Sequence, residues 1–282
     1  AILIGRGGHS PSAIVLEHEP RNFLLPSKQL AKMPSKKKRG NDKAKRKKKE
    51  RLERMDREMK GKALVSDANS IDDIFSILTA FKKYRKMNIS CSFKRYEELT
   101  KDEKSWVFEL LEKNMKTHYE GCESIGWDEK AKKKELEHED CRYIIAYEEE
   151  VEETKQENVK QDPNNEKKAP TKQQPVGYVM WRSLMDDNGM GEFIPVLYLW
   201  EIHLEKQARR KGLGKFLMTI SELAAWKLKM KKIILTAFSS NEPSIKFFQE
   251  KLKFNVDETD PQLCDPSEPP CGYRILSKSR EI

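Results

Sequence analysis

Long apolar runs are missing from this 282-residue chain. No stretch approaches the roughly 20 consecutive apolar residues of a membrane-spanning helix, so no membrane partner is expected. Cysteine is sparse. Cys91, Cys122, Cys141, Cys264 and Cys271 are odd in number and form no Cys-x-x-Cys pair, which argues for reduced thiols and against a disulfide scaffold or a zinc ribbon. His118 and His138 have no cluster of ligating residues around them in sequence. Both read as solvated, and no metal is expected. The GxxxxGK[ST] loop and the GxGxxG fingerprint, which cradle phosphates in other folds, are absent as well. Acidic residues are scarce at one end only. Residues 1–54 carry 16 Lys and Arg against 5 Asp and Glu, while the whole chain is +9, so the remainder is close to neutral.

That distribution predicts a basic N-terminal tail ahead of a globular domain. Residues 1–65 are expected to be disordered, with 1–32 an extension upstream of Met33 and its MPSKKKRG start. The run 36–54 holds twelve basic side chains whose mutual repulsion favours an extended segment or a loose surface helix. Its chemistry fits nuclear import or a contact with ribosomal or other nucleic acid, although no aromatics interleave it for base stacking. The folded domain is expected over 66–282, with a flexible insertion at 149–174 that has too few large apolar residues to offset ordering entropy.

Periodicity supplies the elements. Ile71, Ile74, Phe75, Leu78 and Phe81 recur at helical spacing. NISCSFKRYEEL alternates as a strand. Thr100-x-x-Glu103 is a capping box that opens a helix with Trp106, Val107, Leu110, Leu111 and Met115 on one face. RYIIAYEE, PVGYVMWRSLM, PVLYLWEIHLE, KKIILTAF and YRILSKSR read as strands. A helix capped by Asn241, with Pro243 in its first turn, precedes the last of them. The order β–α–β–β–β–α–β–α–β predicts an α+β fold, a mixed central sheet flanked by helices.

Between the strand ending near Leu204 and the helix starting near Gly212 lies RRKGLGKFL. Free backbone N–H groups and the positive end of the helix dipole meet there, and Gly212 and Gly214 have no Cβ to keep an anion away. This construction suits a pyrophosphate.

Arg-x-x-Gly-x-Gly between a strand and a long helix, followed by a strand and an Asn-capped helix, resembles the GCN5-related N-acetyltransferase family over roughly residues 90 to 280. FKKY, GW, RRKGLGKFL and the closing Tyr-x-Ile-Leu-Ser are similar, more narrowly, to the N-alpha-acetyltransferase D type. That type acetylates the terminal amine of histones whose tails begin Ser-Gly-Arg-Gly, the H-four and H-two-A types. The resemblance implies acetyl-CoA as co-substrate. It implies cofactor contacts at Ile202, His203 and Leu204 of the strand, at Arg209, Arg210, Lys211, Gly212, Leu213 and Gly214 of the turn, and at Asn241. It implies Glu201 as general base, with Trp200 where relatives carry a Tyr and with Tyr198 as the nearby phenol. Strict alternation would put Glu201 on the face opposite Trp200 and Ile202. For the acceptor, the resemblance implies Tyr119, Thr236 and Tyr273, with Trp200 as a wall of the groove. Asp186 and Asp187 are candidate partners for the third-position Arg, because Arg–carboxylate contacts can be bidentate. The implied partners are histone tails, and the implied localisation is nucleus and cytoplasm. Two alternatives stay open: a lysine or small-amine acetyltransferase of the same fold, or a non-enzymatic nucleic-acid or ribosome binding protein acting through its basic tail.

Overall fold

The computed structural model describes residues 37–149, 173–266 and 271–280. In chain order the elements are α1 (Lys37–Asn69), β1 (Lys83–Tyr84), β2 (Ile89–Arg95), α2 (Lys101–Glu120), α3 (Glu129–Leu136), β3 (Arg142–Glu149), β4 (Gln173–Asp187) and β5 (Phe193–Leu204). They continue with α4 (Leu213–Lys227), β6 (Lys232–Phe238), α5 (Glu242–Lys246), β7 (Asn255–Val256), α6 (Pro261–Cys264) and β8 (Tyr273–Ser279). The strands form one sheet in the order β1-β2-β3-β4-β5-β6-β8-β7. All neighbours are antiparallel except β5 and β6. The expected α+β architecture is therefore present: a mixed sheet with helices on both faces.

Alternation along the strands divides the core in two. Ile144, Val179, Leu197, Leu199 and Leu235 face α4 and the inner half of α1, while Tyr143, Ile145, Tyr178, Met180 and Tyr198 face α2 and α3. The capping box at the start of α2 is formed: Thr100 Oγ1 accepts from Glu103 N–H at 3.2 Å, and Glu103 Oε2 accepts from Thr100 N–H at 2.8 Å. Asn241 caps α5 by accepting from Ser244 N–H, and Pro243 lies in that first turn.

Three expectations are corrected. Residues 37–69 form a continuous helix, so the folded unit begins well before residue 66. Charge repulsion along α1 is offset by i,i+4 pairs, Arg46–Glu50, Lys49–Glu53, Asp56–Lys60 and Glu58–Lys62. Its second half docks on the sheet, with Ala68 buried and Leu64 packed beside it. Residues 1–36 lie outside the described residues. Second, the apolar spacing from Ile71 to Phe81 becomes two separate 3-10 turns, Ile74–Ser76 and Thr79–Phe81. Asp73 accepts from Phe75 N–H and starts the first of them, too short a turn to nucleate a longer helix. Third, α3 is an additional helix, capped by Asp128 accepting from Ala131 N–H. The proposed insertion falls almost wholly outside the described residues. Its flanks are paired, Glu149 with Gln173 across β3 and β4.

Candidate active site

β5 and β6 pair in parallel only from Val196↔Lys232 to Leu199↔Leu235. Beyond that point β5 runs on to Leu204 with no strand paired on its β6 side among the described residues, while β6 stays paired with β8 along its whole length. The two strands therefore open a wedge at their carboxyl ends, where crossover connections leave a crevice in sheets with parallel strands. The start of α4 and the Asn241-capped start of α5 follow directly from these two strand ends.

The start of α4 is built for an anion. Its N-cap is Gly212, at φ +92°, and no side chain caps the first turn. Arg210 also has a positive φ of 61°, so the turn curls its amides together. Arg210, Lys211 and Lys215 are exposed around it. Arg209 has a different task. Its Nε donates to Leu204 O at 3.0 Å and its Nη2 to Asn114 Oδ1 at 2.6 Å, tying the turn to α2. Trp106 and Lys113 of α2 hold Glu205 at 3.2 and 3.1 Å. On the other side the Tyr84 hydroxyl donates to Lys211 O at 3.0 Å, and its ring packs on Phe216. Sequence reasoning missed this contact of Tyr84 with the turn, although the residue lies within the FKKY segment. Ile202, His203 and Leu204 place their backbone along the open edge of β5, and Leu213 is buried behind the turn.

The register of β4 and β5 shifts between Met180↔Glu201 and Trp181↔Leu199, leaving Trp200 as an extra residue. This β-bulge resets the alternation. Trp200 joins the α2/α3 face with Tyr198, and Glu201 lies on that face too, opposite Met180, while Ile202 points to the α4 side. The expectation that Glu201 opposes Trp200 is therefore overturned by one inserted residue.

Glu201 is 1% exposed, and burial pushes its carboxyl up to about 8 against an opposing pull from Lys132. Its Oε2 lies 2.7 Å from His203 Nε2. Burial holds the His203 imidazole well below its ordinary value, hence neutral. The carboxyl O–H donates to it when Glu201 is protonated, and the imidazole N–H donates when Glu201 is ionised. Glu201 Oε1 and the Tyr119 hydroxyl are buried and have no hydrogen-bond partner among the described residues. The Tyr198 hydroxyl is 2.5 Å from Thr236 Oγ1. The Arg182 guanidinium covers the Trp200 ring at 4.7 Å. Tyr119 packs edge-on against Phe238 and Trp127, and half-buried Tyr273 pairs with Phe238 across β8 and β6. Glu201, Tyr198, Trp200, Thr236, Tyr119 and Tyr273 thus gather on one side of the sheet beside the wedge. Sequence reasoning missed the side chains of His203, Lys132 and Glu135. The last two sit on α3, where Lys132 Nζ meets Glu135 Oε2 at 2.5 Å and lies 4.6 Å over the Tyr119 ring. Their i,i+3 spacing in the sequence is the only signal that could have pointed to them.

The two aspartates separate. Asp186 is on the α2/α3 side of β4, six positions beyond Met180, or about 20 Å along the strand. Asp187 faces the other way. Its Oδ1 accepts from the Gly189 and Gly191 amides at 2.8 and 3.0 Å, so it builds the β4–β5 turn, and the expected acceptor contact at Asp187 is withdrawn. His118 is hydrogen-bonded to Ser240, and His138 contacts Arg182. Among the described residues, no group of three or more His, Cys, Asp or Glu is arranged to hold a metal.

The model of the acetyltransferase (GNAT) family matches residues 108–254, over half of the chain, and the protein belongs to that family. It is an acyltransferase that uses acetyl-CoA. Similar solved structures include an acetyltransferase from Streptococcus agalactiae, at 19% identity and a TM-score of 0.44 over 67% of this chain and 98% of that one. Naa50 of Arabidopsis thaliana, in complex with the bisubstrate analogue CoA-Ac-MVNAL, is 16% identical with a TM-score of 0.40 over 67% and 99%. A GNAT family acetyltransferase from Elizabethkingia anophelis with acetyl-CoA bound is 12% identical with a TM-score of 0.39 over 68% and 99%. The residues present fit this co-substrate. The basic start of α4, with no side-chain cap, would suit a diphosphate, and the unpaired edge of β5 has backbone groups that an amide-bearing arm could pair with.

Proposed function

We propose that the acceptor is a protein N-terminal α-amine, and that the substrates are histone tails beginning Ser-Gly-Arg-Gly, met in the nucleus and cytoplasm. The observation that carries this reading is Glu201: a buried carboxyl raised to about 8, with Oε1 free of any hydrogen-bond partner among the described residues. An α-amine titrates at about 7.7–8.0 and a lysine side chain at about 10.4. A base near 8 is matched to the first and weak for the second. The narrow specificity rests on the resemblance of the motif segments.

The neutral amine attacks the thioester carbonyl carbon. The N–C bond forms, the C–S bond breaks, and the proton released from nitrogen passes to Glu201, directly or through a water. The departing thiolate takes a proton from Tyr198, whose hydroxyl is held by Thr236. Tyr119, Trp200 and Tyr273 enclose the first residues of the acceptor, and Asp186 meets the third-position Arg.

Turnover of acetyl-CoA on a peptide beginning SGRGK, against the same peptide with a blocked N-terminus, tests this directly. Mass spectrometry should place the acetyl group on the terminal nitrogen. Internal lysine modification at a comparable rate would replace this reading with a lysine acetyltransferase.

A further inference from the structure

Glu201 and His203 lie two residues apart on β5, just past the Trp200 bulge, opposite Met180 and Tyr178 of β4. Their side chains therefore share the α2/α3 face of the sheet. Both are buried, and Glu201 Oε2 lies 2.7 Å from His203 Nε2. A carboxyl and an imidazole desolvated together and joined by one hydrogen bond act as a unit. We propose that His203 is the positioning residue of the base: its Nε2–H donates to Glu201 Oε2, holds the carboxylate in place and leaves Oε1 to take the proton of the acceptor amine. This rests on the reading of Glu201 as the base.

The remaining atoms of the pair select this arrangement. His203 Nδ1 and Glu201 Oε1 are buried and have no hydrogen-bond partner among the described residues. The Tyr178 ring packs against the imidazole at 5.3 Å between centroids, but its hydroxyl donates to Val107 O at 3.2 Å. With Glu201 ionised and the imidazole hydrogen on Nε2, the one N–H of the pair is bonded and the two free atoms are bare acceptors. A hydrogen on Nδ1 would be a buried donor with no acceptor, the rarer and costlier defect. Burial keeps the imidazole neutral, so it gives the carboxylate a hydrogen bond without adding a charge. During transfer the amine N–H bond breaks, the proton bonds to Oε1, directly or through a water, and His203 keeps its own proton.

The test is a double-mutant cycle of His203→Leu and Glu201→Gln in the full chain, with kcat and KM measured on acetyl-CoA and the SGRGK peptide. His203→Leu removes the donor at similar volume. It should lower kcat by roughly 10- to 100-fold, the scale of one hydrogen bond to a charged group, with both KM values within about twofold of wild type. His203→Gln, whose amide can donate from the same place, should recover most of that loss. In the Glu201→Gln background His203→Leu should cost nothing further, because it acts through a carboxylate that is gone. Equal losses in both backgrounds, or a loss that His203→Gln does not recover, would make His203 a packing residue and overturn the proposal. If His203→Leu does not fold, nitrogen NMR of the wild-type imidazole decides, and it needs no acceptor. A proton on Nε2, in a resonance that shifts in Glu201→Gln, is expected; a proton on Nδ1 overturns the proposal. Failure of the base is distinguishable: normal activity in Glu201→Gln removes Glu201, whereas activity lost there but kept in His203→Leu removes His203 alone.

Discussion

Glu201 Oε2 and His203 Nε2 lie 2.7 Å apart, two residues from each other on β5 and both buried, so one carboxyl oxygen is held while the other, Oε1, has no hydrogen-bond partner among the described residues. The Trp200 bulge places Glu201 on the face where this pairing meets Tyr119 and Tyr198.

Glu201→Gln is expected to lower kcat by roughly a hundredfold, the lower end for loss of a general base. Because the carboxyl titrates near 8, the wild-type rate should climb with pH through that value, whereas the variant depends only on the amine. The deficit should shrink above pH 8, as the amine deprotonates unaided. A deficit constant from pH 6.5 to 9.5, measured at saturating acetyl-CoA, would assign Glu201 to binding.

The same substitution should stabilise the fold in a pH-dependent way. In the unfolded chain Glu201 ionises near its ordinary value of 4.5, while in the folded protein it stays protonated to about 8. Stability contributed by this group is therefore full below 4.5 and falls by about 1.4 kcal/mol per pH unit as pH rises through that window. Gln mimics the protonated form and removes the loss. Thermal melts should show a Tm near wild type at pH 5 and above it at pH 8; equal melting at both would contradict the buried carboxyl.

Gly214→Asp should abolish acetyl-CoA binding without harming the fold. An added Cβ meets only ordinary contacts, Leu204 Cδ1 at 3.5 Å and Phe247 Cζ at 3.6 Å, and a carboxylate in the first turn favours the helix while repelling a diphosphate. Gly212→Ala should instead unsettle the turn, since its Cβ would lie 2.6 Å from Tyr84 Oη at a φ of +92°. Calorimetric binding beside melting curves separates the two effects, and unchanged affinity in Gly214→Asp would make the turn structural only.

Tyr84→Phe removes the hydroxyl that donates to Lys211 O but keeps the ring on Phe216. Losing one such hydrogen bond costs about 0.5–1.5 kcal/mol of stability, so Tm should fall by a few degrees, and acetyl-CoA affinity should fall by at most the roughly 2- to 12-fold that this energy corresponds to. An affinity equal to wild type would show that the turn holds its shape without this clamp.

Asp186→Asn should weaken binding of an SGRG peptide by about 1.5–3 kcal/mol, the range for hydrogen bonds to charged groups, and leave an SGAG peptide unaffected. Asp187→Asn should loosen the β4–β5 turn and lower Tm without altering the preference for Arg. Equal losses for both peptides in Asp186→Asn would remove it from acceptor recognition.

What the sequence determined by itself was local. The Thr100/Glu103 box, the Asn241 cap and the glycine turn at 212–214 depend on residues within a few positions of one another, and each formed as its spacing required. The sheet's strands were legible because their alternation meets two apolar layers. Tertiary structure decided the rest. A bulge is a mismatch between two strands, so the extra residue at Trp200 is invisible along β5 alone, and with it the face of Glu201. α1 looked too charged to order, but its order comes from docking Leu64 and Ala68 on the sheet as well as from its own charge pairs. Lys132 and Glu135 carry no signal in the sequence beyond their i,i+3 spacing. Only the packing of α3 over the sheet buries them beside Tyr119 and within electrostatic reach of Glu201, because desolvation is a property of the assembled layers and of no single segment.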